Sequence, residues 1–135
     1  MTAPLHFESL VPSIFETTVN AFKSGAKDIA NNLLMNLIFT LKQQNNDLKN
    51  ILFDLEKEPS KAIDLDTDDF QDSLIDLEDM LERLVFISEK YSKNSDIFFE
   101  FYKISNEMYS NIIVLGNEVA AIASELKYEK NKIAS

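Results

Sequence analysis

Three observations on this 135-residue sequence predict an all-α fold, an antiparallel bundle of three long helices plus a shorter N-terminal helix. Glycine and proline number 2 and 3, too few to supply the turn that a sheet fold needs roughly every 8–12 residues. Apolar residues make up 45% and charged residues 27%, a composition that folds. Leucines and aromatics also return at steps of three and four over long stretches, the rhythm of one helix face. The length suits a single domain, 1–135, with one modest core. Within it we expect a loose N-terminal segment over 1–12, a linker over 58–66 and a tail over 131–135. The competing architecture is an extended helical hairpin completed by another chain.

The first helix follows Pro12. Ser13 and Glu16 stand in capping-box spacing, and Ile14, Phe15, Val19 and Phe22 form its apolar side. Gly25 can end it in a left-handed conformation, with Lys23 near the C-terminus where the dipole favours a cation. A single continuous helix through Gly25 would cost about 1 kcal/mol relative to alanine, so a break there is the favoured reading. The second helix is expected from Ala26 to Lys57, stopped by Pro59. Its seam is Ala30, Leu34, Leu37, Leu41, Gln44, Leu48, Ile51 and Leu55, and such a helix spans about 48 Å. The polar run Gln43–Asp47 is its weakest point and a candidate kink.

The third helix is expected to start around Asp66 to Asp68 and to end near Ser92. Phe70, Leu74, Leu77, Leu81, Leu84, Ser88 and Tyr91 form its seam. Asn94 or Ser95 then caps the fourth, which runs from Asp96 to about Lys130. Phe101, Ile104, Met108, Ile112, Leu115, Val119, Ile122 and Leu126 trace the fourth stripe. Its consecutive steps of four around Met108 form a stutter that locally unwinds a supercoil. Polar Gln44, Ser88 and Asn111, at or beside the seams, are candidates for fixing register.

Charge is unevenly spread. Net charge is −10, and nine acids crowd between Ala62 and Glu82. Asp64, Asp66, Asp68, Asp69 and Asp72 have the spacing of calcium ligands. An EF-hand loop starting at Asp64, however, needs glycine where Asp69 stands and glutamate where Ile75 stands. The plainer reading has two parts. Asp66, Asp68 and Asp69 serve the N-cap and first turn, while Asp69, Asp72, Asp76 and Asp79 line the wet face opposite the seam. Mixed faces gain from Glu–Lys pairs, whereas these like charges repel, which admits a basic protein partner for Asp68, Asp69, Asp72, Asp76 and Asp79. The same charge argues against direct nucleic-acid binding.

Apolar side chains exceed what one stripe per helix requires. Val85, Phe86 and Ile87 adjoin Leu84, and Phe98, Phe99, Tyr102 and Tyr109 flank the fourth stripe. Either the fourth helix lies at the bundle's centre, or these residues form a second surface for dimerisation or assembly.

Nothing in the sequence is arranged for catalysis. The one histidine, His6, lies outside the predicted helices, and there is no cysteine. Neither glycine sits in a phosphate-cradling loop. The carboxylates lie on wet faces, where their acidity has no reason to change. We therefore expect no enzyme, no cofactor and no metal. The N-terminus lacks the features of a secretory signal and no segment reads as a membrane span, so an intracellular and cytoplasmic location is expected. The leading functional expectation is a non-enzymatic interaction module, a small subunit of a larger helical assembly or a homo-oligomer, using the apolar residues. The alternative is an acidic inhibitor, immunity or antitoxin-like protein, or a nucleic-acid mimic, using the aspartates.

Overall fold

The computed structural model describes residues 11–134. They form five helices, α1 Val11–Lys23, α2 Lys27–Lys57, α3 Lys61–Leu65, α4 Asp68–Ser92 and α5 Asp96–Ala134, and no strand is found among the described residues. The predicted helical bundle is what the chain adopts.

Successive long helices run in opposite directions, and the contacts give their order around the bundle. The Lys42–Lys49 stretch of α2 lies beside Glu100–Glu107 of α5, and its C-terminal end, with Pro59 just beyond it, lies beside Ala121–Glu129. These two helices are therefore parallel neighbours. α4 returns antiparallel along the other side of α5. α1 folds back on α2 and reaches α4 at one end of the bundle, and the short α3 packs on α5 and α2 at the other. α5 is central: it packs on α2, α3 and α4, and its Phe101 stacks on Phe15 of α1 at 4.9 Å between ring centres. One apolar core joins α1 through α5.

Local chemistry explains each boundary. Gly25 adopts φ 90°, so α1 ends in the left-handed turn that glycine alone enters without strain. Pro12 stands in the first turn of α1, where no intrahelical N–H is required. α4 is capped by Thr67, whose hydroxyl accepts from the Phe70 N–H at 3.2 Å. The Ser95 hydroxyl accepts from the Phe98 N–H at 3.4 Å and opens α5.

Several expectations need correction. The capping box at Ser13 is absent, because Val11 and Pro12 are already helical and Val11 is buried. The expectation of a loose segment over 1–12 fails at Val11 and Pro12, which are helical, and its first ten residues, His6 included, lie outside the described ones. The linker over 58–66 is not all loop: α3 forms inside it because Ala62 is small enough to be buried against α5. Asp66 is not the N-cap of α4, since Thr67 takes that place; it closes α3 instead. The predicted tail over 131–135 is helical through Ala134, and residue 135 lies outside the described ones. α2 passes through Gln43–Asp47 without a break.

Two seams shift by one residue. In α2 the buried residue after Leu41 is Asn45, while Gln44 is half-buried. In α5 Ser105 is buried and Ile104 lies at the edge of the core. The sequence Phe98, Phe101, Ser105, Met108, Ile112, Leu115, Val119 then alternates without the expected stutter. The successive steps of four fall instead at Leu115, Val119 and Ala123. Ser105 can be buried because its hydroxyl donates to the Phe101 carbonyl at 2.7 Å.

Candidate protein-binding surfaces

The acidic stripe is built by one helix. Asp68, Asp69, Asp72, Asp76 and Asp79 are all exposed on α4, opposite Phe70, Leu74, Leu77, Leu81 and Leu84, which are buried. None of the five pairs with a lysine or arginine among the described residues. The calcium-like series is split: Asp64 belongs to α3, Asp68 and Asp69 to the first turn of α4, and Asp66 lies between them. Asp66 receives the Lys127 ammonium of α5 at 2.6 Å, which holds its carboxyl below the usual range. Among the described residues no group of three or more acids and histidines converges to hold a metal ion.

The expected aromatic surface divides into core and exterior. Phe98 is fully buried, in edge contact with Phe22 at 5.0 Å and tilted against Tyr91 at 5.1 Å, so it cannot meet a partner. This corrects the expectation, and the reason is that α1 covers that side of α5. Val85, Ile87, Tyr102 and Tyr109 are half-buried, and Ile87 and Tyr109 pack against the core. Partial burial, followed by the nearby charges of Glu82, Glu78 and Asp79, raises the Tyr109 phenol above its ordinary pKa. Only Phe86 and Phe99 are exposed, at 62% and 45%. Each carries a lysine one turn on: Lys90 lies 4.6 Å from the Phe86 ring centre and Lys103 lies 4.9 Å from that of Phe99.

Two features escaped the sequence. The first is a polar bridge between the parallel helices α2 and α5. Asn45 donates to the Glu107 carboxylate and accepts from the Asn111 amide at 2.8 Å, and Lys49 stands 3.4 Å from the same carboxylate. The second is an open groove between the C-terminal halves of α2 and α5. Leu52, Phe53, Val114 and Ile122 line it, with Glu56, Glu118, Glu125 and Glu129 along its edges. Neither has a strong local signal, because both depend on α2 and α5 being neighbours.

No helix among the described residues is long and apolar enough to cross a membrane. No protein-family model, curated protein or solved structure gives a match to this chain.

Proposed function

We propose that this chain is a non-enzymatic protein–protein interaction module, a small subunit of a larger helical assembly. One observation carries the reading. The seams of all the long helices are filled from within, and yet Met35, Phe39, Phe53 and Phe86 stay 59%, 61%, 54% and 62% exposed. Leaving a phenylalanine in water forgoes about 1.5–3 kcal/mol of burial, a cost that a partner surface recovers. The proposal includes an intracellular setting, which a cysteine-free chain suits.

The test is photo-crosslinking in the native host, with a photoreactive phenylalanine replacing Phe39 or Phe86, together with light scattering on the pure protein. A discrete crosslinked partner, or a defined homo-oligomer, is the expected result. A monomer that crosslinks to nothing from either position refutes the reading.

The unpaired aspartates of α4 favour a second reading, an acidic inhibitor or mimic that occupies a basic protein surface. Capture by those charges weakens steeply with salt, because exposed charges are screened beyond about 8 Å at physiological ionic strength. A complex that survives strong salt sets this second reading aside.

A further inference from the structure

We infer that the groove between the C-terminal halves of α2 and α5 receives an amphipathic helix of a partner protein, with lysine or arginine along its flanks. The inference rests on the interaction-module reading and names its site and the partner's chemistry.

The groove is open because of how the bundle is assembled. α1 covers the first half of α2 and reaches α4 on the far side, around Met80–Ile87. α3 packs on α5 and is held nearby by the Asp66–Lys127 bridge. α3 touches both α2 and α5, and beyond Lys49 a groove lined by residues of those two helices and Pro59 stays open. Leu52 and Ile122 form a half-buried floor continuous with the core. Phe53 and Val114 rise beside it, 54% and 43% exposed. From Val114 to Glu129 the groove runs about 22 Å, the length of a helix of roughly 15 residues.

Charge decides the occupant. Glu56 stands on the α2 side and Glu118, Glu125 and Glu129 on the α5 side, all exposed. The lysine at the groove's head, Lys49, is already beside Glu107 at 3.4 Å. A purely apolar helix would strip water from four carboxylates and return nothing. A second copy of this chain brings a net charge of −10 against them. Lysines or arginines flanking an apolar stripe satisfy floor and rim together. The Phe53 ring already carries the Lys57 ammonium 4.5 Å from its centre, so its face is suited to a cation.

The probe is a fluorescent helical peptide of about 16 residues with leucines at steps of three and four and lysines on both flanks. Its twin has glutamate for every lysine. The full chain is expected to bind the lysine peptide at least about tenfold more tightly than the twin, a difference of about 1.4 kcal/mol. Phe53→Ser with Val114→Ser should weaken the lysine peptide by a similar factor, and Glu118→Lys with Glu125→Lys should move the preference toward the twin. Met35→Ser with Phe39→Ser, on the same side of α2 but about four to five turns before Phe53, should change nothing. All six exchanges are at exposed positions, so circular dichroism should be unaltered. Equal binding of the twins, equal loss from the Met35/Phe39 variant, or no binding at 1 mM peptide overturns the inference. So does a dimer that the Glu118/Glu125 variant dissolves, since a second copy would then be the occupant. Crosslinks from Phe39 and Phe86 are scored separately, so the groove can fail while the module reading stands.

Discussion

Replacing Asn45 offers the sharpest test of how α2 and α5 are held side by side. Its side chain is 2% exposed and makes two hydrogen bonds across the interface, one to the Glu107 carboxylate and one from the Asn111 amide. A bond to a charged group contributes about 1.5–3 kcal/mol and a neutral one about 0.5–1.5 kcal/mol. The Glu107 side chain is 51% exposed and Asn111 half-buried, so both recover water once Asn45 is gone. The low ends of the two ranges therefore apply, and Asn45→Ala should cost about 2 kcal/mol. Asn45→Leu loses the same bonds but buries an apolar side chain on a leucine seam, a gain of about 1.5–3 kcal/mol. It should remain within about 1 kcal/mol of the parent, at the expense of register, because a leucine fits several alignments where the amide fits one. Urea unfolding followed by far-ultraviolet circular dichroism measures both variants, and amide line widths report on register. If Asn45→Ala matches the parent within about 0.3 kcal/mol, or the leucine variant falls as far as the alanine one, the bridge does not work this way.

Four further outcomes follow from single positions. Gly25→Ala should destabilise by about 1–2 kcal/mol, since the site has φ 90° with open space around it and the cost is purely conformational. Gly116→Ala should instead stabilise by up to about 1 kcal/mol, because its new methyl meets Leu74 at an ordinary 3.6 Å within a helix. Thermal melts that moved both variants in one direction would contradict this pair. Phe98→Ala removes the fully buried ring of the Phe22–Tyr91–Phe98 cluster and should cost about 3–5 kcal/mol by urea unfolding; a loss under 1 kcal/mol would return Phe98 to the surface. Asp66 has a depressed pKa in the folded state, so its bond to Lys127 stabilises above the unfolded aspartate value near 4 and is lost as pH falls through the folded value. The stability gap between the parent and Lys127→Met should therefore close on acidification from about pH 5 toward pH 2, and a pH-independent gap would sink the assignment.

How much of this was legible in the sequence depended on whether a residue competed with a neighbour. On α4, Phe70, Leu74, Leu77, Leu81 and Leu84 stand among charged residues on the next turn, so the periodicity alone identified the buried face. On α2 the step after Leu41 fell on either Gln44 or Asn45, both polar and both on the 3–4 rhythm. Only the groups across the interface, Glu107 and Asn111, decide for Asn45. On α5 the more apolar Ile104 lost to Ser105, whose hydroxyl is satisfied by its own helix and whose small size lets neighbours approach. Four aromatics near Phe101 made a surface as readable as a core, and α1 settled it by covering Phe98. The groove was invisible for a related reason: its residues are ordinary flanking positions on two helices that the linear pattern does not pair. The phenylalanine–lysine pairs at i, i+4, by contrast, were present in the sequence and went unused.

Those pairs rank the exposed surfaces. Phe53, Phe86 and Phe99 each carry a lysine ammonium 4.5–4.9 Å from the ring centre, four residues further along the same helix. A cation over an exposed ring is worth about 0.5–1 kcal/mol, and an apolar partner that covers the ring gives up that interaction and dehydrates the lysine as well. At Phe86 and Phe99 the loss is uncompensated unless the partner brings carboxylates, which a chain of net charge −10 already repels. At Phe53 the balance differs: the groove edge is acidic, so an incoming cation can take the place of Lys57 over the ring. Phe39 has glutamine at the equivalent position and no cation to lose. Of the exposed rings, Phe86 and Phe99 thus gain less from an apolar partner than Phe39 does. The outer side of α2, with Phe53 beside glutamates in its C-terminal half and Met35 and Phe39 unshielded nearer its N-terminus, is where burial by another protein returns the most.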